Sequence, residues 1–570
     1  MLRLVPGLIG LTSLHHMLSS SLATASVRKA VILPRLHRRG YANQSDPGEP
    51  QLCPEQRQLI DYVKSGSNVF FTGSAGSGKT TVLRALSHEL DAMRKTVHIV
   101  APTGRAALHV NGQTTWAYAS WKPSHLRHSL QELKNEACRT TVKKRLRSTD
   151  VLIIDEISLV ENHHLERLNE IMKEARGLPD LAFGGAQLVV TGDFCQLPPI
   201  KPFQFCIECG SELIHQDSNG GMIHTCSRHG IHYDKDKWAF RSKAWQECKF
   251  NHIHLKTIHR QKDPRFLSIL HKLRVGTMLS QDDIDTLMNH PCETENATRL
   301  YPTRKEAAEV NQQAFKRLKG ENHTYWCRDE FIWRSALHPQ LKHKGTRKLP
   351  GPQSQGPLVA LQEHQFDECV QLKEGMPVVL LVNLSLADGL CNGSQGVVCG
   401  FEEYDPTKFT GYIPIRDGNT EQSVIQSDEI NRFIRDPGVS HKVWPIVRFH
   451  NGETRTIYAN CSDIMQGDVK PYSLLVRTQI PLAPAWAMTI HKSQGLTLDR
   501  AIVDLSNAFE SGQVYVALSR VRELQGLKIE GDPKGLLAAL GANPEVAKFH
   551  RERFGDLSDI VIPGLHHTTR

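Results

Sequence analysis

The chain has 570 residues, is 39% hydrophobic and 23% charged, and carries 69 Lys and Arg against 60 Asp and Glu, a formal +9. There is apolar material for more than one core, and no apolar run reaches the roughly 18–20 residues that span a bilayer. A protein with membrane-spanning helices, a collagen-like repeat and a wholly disordered chain are therefore not expected, while a basic excess suits a nucleic-acid partner.

Six of the nine net charges lie at one end. Arg3, Arg28, Lys29, Arg35, Arg38 and Arg39 precede the first acidic residue, Asp46, which leaves +3 on the remainder. A Leu-, Ser- and Arg-rich segment without acids has the composition of a mitochondrial presequence, which must form a basic amphipathic helix. Residues 1–50 are read as that presequence and its linker, with cleavage after Tyr41 and import to the matrix; a second, nuclear form stays open. The rivals are a secretory signal cleaved after Ala25 and a merely disordered tail. The thirteen cysteines are mostly scattered singly, as in a reducing compartment.

Folded sequence is expected from Gln51. Segments 67–73, 96–103, 150–156 and 185–193 read as apolar strands, and 80–90 as an amphipathic helix. Near-continuous apolar strands between helices are what a buried parallel sheet requires. Residues 335–360, rich in Pro, Gly, Gln and Lys, read as a flexible insertion. From about 400 to 480, VVCGF, VIQSDEI, WPIVRFHNGETRTIYAN and SLLVRTQIPL read as strands of a small β module inserted in a second α/β domain.

The sharpest motif is Gly73-Ser74-Ala75-Gly76-Ser77-Gly78-Lys79-Thr80, followed by Thr81. Its glycines let backbone N–H groups turn toward phosphate oxygens, and the following helix presents its positive end. Lys79 would neutralise the β- and γ-phosphates of ATP, and the Thr80 hydroxyl would ligate magnesium. Further on, Leu152-Ile153-Ile154-Asp155-Glu156 ends an apolar strand in two carboxylates. Asp155 would hold magnesium and Glu156 would take a proton from the attacking water. Alone such a strand end is mostly structural; paired with the phosphate loop it points to nucleotide hydrolysis.

Further motifs resemble those of superfamily-one helicases, and most closely the Pif family of DNA helicases. Leu52-Cys53-Pro54-Glu55-Gln56 is similar to that family's adenine-recognition motif, with Gln56 reading the base. Ala101-Pro102-Thr103-Gly104-Arg105 resembles a DNA-contacting loop, and Gly192-Asp193-Phe194-Cys195-Gln196 the γ-phosphate-sensing motif. His259-Arg260-Gln261 and Gly512 to Arg520 resemble motifs whose Arg260 and Arg520 reach ATP from the second domain. Residues 389–396, with Asn392 and Gly393, and Thr489-Ile490-His491-Lys492-Ser493-Gln494-Gly495 are similar to its late DNA-binding motifs. Where the family has a His after Gly-x-Thr, this chain has Gly112-Gln113-Thr114-Thr115-Trp116; Trp116 either stacks on a base or is core.

The resemblance runs in order from about 51 to 530. It implies two RecA-like domains, residues 51–255 and 256–545, with a C-terminal tail at 546–570. It also implies ATP and magnesium as cofactors, and catalytic roles for Lys79, Asp155, Glu156, Gln196, Arg260 and Arg520. Contacts to single-stranded or tailed duplex DNA would come from Pro102, Thr103, Gly104, Thr114, Asn392, Gly393, Thr489, His491, Lys492 and Ser493. Translocation would run 5′-to-3′, by a monomer or by a dimer on DNA. A nucleic-acid clamp that separates no strands, or an RNA helicase, are the alternatives.

Within the first domain, residues 201–235 read as a zinc ribbon: Cys206-x2-Cys209, a sixteen-residue spacer, then Cys226-x2-His229, each pair followed by glycine. The spacer has little apolar content, so one structural zinc would explain how it folds; the rival is a loop without metal.

Overall fold

A computed structural model describes residues 52–555 apart from 122, 219–220, 350–355, 363, 386–387, 406–419, 436–442, 467–470, 505–511 and 532–542. The presequence reading and residues 556–570 lie outside the described residues.

The segments read as apolar strands are strands. Val69–Gly73, Val97–Ala101, Val151–Ile154 and Gln187–Thr191 join Gln113–Thr114 and Asn251–Leu255 in one parallel sheet. Its order is Gln113–Thr114, Val97–Ala101, Val151–Ile154, Gln187–Thr191, Val69–Gly73, Asn251–Leu255. Helices cover both faces, so residues on both sides of each pleat must be apolar; Val69, Phe70 and Phe71 are all fully buried. The helix Lys79–Ala92 leaves the central strand through the phosphate loop and buries Val82, Leu83, Leu86 and Leu90, one stripe at helical spacing.

A second parallel sheet orders Ala487–Thr489, Thr298–Tyr301, Ala501–Asp504 and Leu527–Glu530. Its core takes Phe266, Ile269, Leu270 and Leu273 from the helix Pro264–Val275, and Val514 to Leu518 from the helix Gln513–Leu518.

Between Thr298–Tyr301 and Ala487–Thr489 the chain builds a module with its own core around Trp444, Val378 and Val398. It is wider than the sequence indicates. Five antiparallel strands from Pro377–Leu380 to Leu482–Pro484 are joined by smaller sheets that begin at His323–Trp326. One expected strand is absent: VIQSDEI lies within the helix Thr420–Arg435. Ile425, Ile430, Phe433 and Ile434 recur at helical spacing and bury there, which outweighs the local Val-Ile signal.

Residues 335–360 are in part packed. Pro339–Gly345 is a 3-10 helix, His338 is buried, and Leu358 and Leu361 enter a small core after the Leu358 N–H donates to Asp329. Nor is the segment after 545 simply a tail. Pro544–Phe554 is a helix that returns to the first domain, where Phe549 stacks on Phe240 at 4.3 Å and joins the Phe70, Phe194 and Trp245 cluster.

Candidate nucleotide and nucleic-acid site

The phosphate loop curls between its strand and helix with Gly76 at φ 84° and Gly78 at φ 80°, conformations that suit glycine alone. Gly76 has a second reason to be glycine. A Cβ there would lie 2.4 Å from Cβ of Arg260, while the His259 N–H donates to the Gly76 carbonyl at 2.9 Å. Lys79 Nζ donates to the carbonyls of Gly73 (2.8 Å) and Ser74 (3.1 Å). Burial lowers its pKa, opposed by Asp193, Glu156 and Asp155.

A cavity of about 530 Å³ opens over this loop, lined by Ala75 to Thr81, Glu156, Gln196, Arg260 and Arg520. Asp155, at the end of its strand, is pushed up to about 8 by burial and by the neighbouring Glu156 carboxylate, and burial raises Glu156 as well. Two crowded carboxylates short of solvent favour a bound cation; Asp155 and the Thr80 hydroxyl, the latter on the cavity wall, are oxygen donors of the kind magnesium takes, which leaves Glu156 for the water. Glu156 itself sits in left-handed backbone, φ 51° and ψ 46°; a non-glycine residue held there stores about 1–3 kcal/mol, a pattern common at functional sites.

Opposite lie two cations. Burial and the proximity of Arg520 lower Arg260 to about 9, and burial lowers Arg520 to about 10. Arg260 donates to the Ser519 carbonyl at 2.9 Å; Arg520 donates to the Val516 carbonyl and the Ser519 hydroxyl, both at 2.7 Å. Two guanidinium groups that weaken one another gain from an anion between them. Gln196 Nε2 donates to Asp193 at 3.2 Å. Gln56 is buried behind the loop rather than on the cavity wall: its Oε1 accepts the Cys53 N–H and its Nε2 lies 3.4 Å from the Ser77 carbonyl.

Several contacts across the cleft have no counterpart in the sequence reading. The Ala75 N–H donates to the Tyr515 hydroxyl at 2.9 Å, and Gln494 Nε2 donates to the Glu156 carboxylate at 3.2 Å. Gly512 approaches so closely that a Cβ would lie 2.3 Å from the Gln196 carbonyl. Asp193 and Arg274 form a fully buried pair, with Nε and Nη2 both 3.1 Å from carboxylate oxygens; the guanidinium holds Asp193 down to about 2. Tyr515 and Gln494 lie inside motifs already singled out, while Arg274 carries only the signal of a charge on the apolar stripe of Pro264–Val275.

Three of the candidate DNA residues share one placement. Thr103, Thr114 and Thr489 each follow or end a parallel strand, and each hydroxyl accepts a backbone N–H at the start of a short helix: Ala106 at 3.2 Å, Ala117 at 3.0 Å and Lys492 at 3.1 Å. Pro102 and Gly104 flank the first of these. Asn392-Gly393 abuts the 489–497 segment, since a Cβ on Gly393 would lie 2.3 Å from the Thr497 carbonyl. Lys492 is exposed and His491 half-buried. Ser493 is fully buried with its hydroxyl given to the Ile490 carbonyl, so it supports this surface from behind.

The Cys/His insertion forms a three-stranded sheet, Ile214–Ser218, Gly221–Cys226 and Gly230–Tyr233. Cys206, Cys209, Cys226 and His229 converge beside it: Cys209 Sγ is 3.7 Å from Cys226 Sγ, and His229 Nδ1 is 3.5 Å from the sulfurs of both Cys206 and Cys226. Zinc–sulfur bonds of about 2.3 Å and zinc–nitrogen bonds of about 2.0–2.1 Å set tetrahedral edges of about 3.8 Å and 3.5 Å. These three edges match those lengths, and all four donor atoms lie within 4.8 Å of one another.

Two parallel-sheet lobes that close a phosphate loop against arginines from across a cleft define a two-lobed P-loop NTPase. Residues 51–205 match the PIF1-like helicase family, and 363–401 match the DNA helicase Pif1 2B domain. The chain is 36% identical to the ATP-dependent DNA helicase Pif1 of Psychrobacter sp. over 84% of its own length and 68% of that protein's. It is 33% identical to the ATP-dependent DNA helicase PIF1 of Xenopus laevis over 89% of its own length and 65% of that protein's, so it spans about two thirds of these relatives. The crystal structure of the Pif1 helicase from Candida albicans is 30% identical, with TM-score 0.56, and the match covers 88% of this chain and 99% of that one. The chain belongs to the PIF1-like helicase family.

Proposed function

We propose that this chain is an ATP-dependent DNA helicase that moves 5′-to-3′ on single-stranded DNA. One observation carries the ATP-driven part of the reading: Arg260 and Arg520 face the phosphate loop of the first lobe across the cavity that holds Glu156 and Gln196; the DNA substrate and the direction follow from the family resemblance. Lys79 and the loop N–H groups bind the β- and γ-phosphates. Thr80 and Asp155 hold magnesium, which offsets phosphate charge when bound. Glu156, aimed by its backbone and by Gln494, orients the attacking water and accepts its proton. Arg260 and Arg520 stabilise charge on the γ-phosphoryl oxygens, so hydrolysis depends on lobe closure. Closing and opening then shift the Thr103 and Thr114 loops against the Thr489–Lys492 segment along the strand.

The deciding experiment is strand displacement with ATP and magnesium on a duplex carrying a 5′ single-stranded tail. Displacement is expected there and not with a 3′ tail alone. Hydrolysis on single-stranded DNA without displacement would make the chain a clamp, and stronger stimulation by RNA would make it an RNA helicase. Sedimentation with and without the tailed duplex separates monomer from dimer.

The same reading includes one structural zinc on Cys206, Cys209, Cys226 and His229, supported by the tetrahedral edge lengths. About one zinc per purified chain is expected, falling in Cys206→Ser; less than about half would overturn it. Residues 1–45 support mitochondrial delivery, with genome maintenance, repair or recombination as the process served. Imaging the chain with and without them tests this, including for a nuclear form.

A further inference from the structure

A second, smaller cavity of about 150 Å³ lies where the first-lobe DNA loops meet the Cys/His insertion. Its walls include Pro102, Trp116, His164, Arg167, Gln204 and Phe205. Sites for whole small ligands run from roughly 300 to 1,000 Å³, so this one has room for a ring system and not for a nucleotide.

Three aromatic rings line it, those of Trp116, His164 and Phe205, among aliphatic side chains. Trp116 is half-buried and meets Trp121 edge-on at 6.2 Å and 81°, and His164 at 5.8 Å and 44°; neither stacks on its face. The His164 ring is pinned in turn, Nε2 lying 2.9 Å from the Thr115 hydroxyl. Phe205 comes from the insertion, directly before Cys206, with the Arg127 guanidinium 5.2 Å from its ring. The approach to Phe205 is constrained: Lys201 and Phe203 both hold left-handed backbone, and the Phe203 N–H donates to Glu161 at 2.8 Å. The Cys/His cluster thus places Phe205.

Arg167 closes the back of the cavity. Arg167 is 2% exposed; Nη2 donates to the Phe205 carbonyl at 3.3 Å and Nη1 lies 3.8 Å from Glu161, yet its buried Nε–H has no acceptor among the described residues.

We propose that this cavity accepts a single unstacked nucleobase of the strand held by the Thr103 and Thr114 loops, stacked on Trp116 against Phe205. The neighbours of those threonines, Pro102 and Thr115, already line it, so a base turned off the strand there enters directly. The proposal rests on the DNA reading above. It gives the Cys/His insertion a purpose beyond folding, since its Phe205 supplies one wall of a base site.

The test uses the full chain and a short oligodeoxythymidylate of minimal binding length, carrying a single abasic nucleotide at each position in turn. At one position the abasic change should weaken binding about 5- to 150-fold, the range that 1–3 kcal/mol per stacked base implies. Trp116→Leu and, independently, Phe205→Leu should weaken binding of the intact oligonucleotide to a similar degree. Neither variant should lose more when that position is abasic. Additive losses, or no sensitive position, would overturn the base site and leave the DNA reading standing. Failure of the wild-type chain to bind the unmodified oligonucleotide would overturn both.

Discussion

Arg274 sits where the stripe of Leu267 and Leu270 would place an apolar side chain, and it is fully buried on Asp193. A buried pair of this kind is costly to break from one side, about 3–5 kcal/mol, because the remaining charge is stranded. Arg274→Met should therefore lower unfolding stability by that order in chemical denaturation, and Asp193→Asn with Arg274→Met should recover much of it. The pH dependence follows from the same pair. The folded pKa of Asp193, about 2, lies below its ordinary value, so the stabilisation is present above pH 4 and is lost as pH falls toward 2. The double variant should show a shallower loss over that window. Arg260 makes a different demand: packed on Gly76, it is held for an anion rather than for a carboxylate partner. Arg260→Ala should bind ATP near normally, by fluorescent-nucleotide titration, and hydrolyse it at least about tenfold more slowly, the low side of arginine-finger effects. The sequence shows Arg260 through its motif; nothing short of the packed helix shows Arg274.

At the scale of elements, legibility tracks how local each signal is. Strands such as Val151–Ile154 are apolar on both faces and read directly. The helix Thr420–Arg435 was hidden by its short Val-Ile segment, since a period of 3.6 needs a longer window than seven residues to declare itself. The helix Pro544–Phe554 is a harder case. It offers only Val546, Phe549 and Phe554 as large apolar residues among charged ones, and what buries them lies some 300 residues earlier, at Phe240 and Trp245. Its contribution is nonetheless that of a core element. Phe549→Ala should cost about 3–5 kcal/mol, the usual range for a buried aromatic. Denaturation followed by tryptophan fluorescence would read it, because Trp245 lies 6.0 Å from the Phe549 ring. A loss below about 1 kcal/mol would mean that the helix rests on the lobe without supporting it.

Across the whole molecule, the site is assembled from contacts that join residues hundreds of positions apart. Arg260 lies on Gly76, Tyr515 accepts from Ala75, Gly512 meets Gln196, and Gln494 donates to Glu156. The motifs mark which residues belong to the site; which of them touch is a property of how two sheets face each other, and no local pattern encodes it. The Gln494 contact has a direct consequence. Gln494 follows the Thr489–Ser493 turn on the candidate DNA surface, while its amide holds the carboxylate that orients water. A shift of that turn on DNA is therefore felt at Glu156 through one hydrogen bond to a charged group, worth about 1.5–3 kcal/mol. Gln494→Ala should lower the ratio of DNA-stimulated to basal ATP hydrolysis by about tenfold or more, in steady-state assays with and without saturating single-stranded DNA. Lys79→Ala, in contrast, should abolish both rates and leave DNA binding intact. If Gln494→Ala depresses basal and stimulated rates in equal proportion, Gln494 only steadies Glu156, and the coupling runs through the Tyr515 or Arg260 contacts instead.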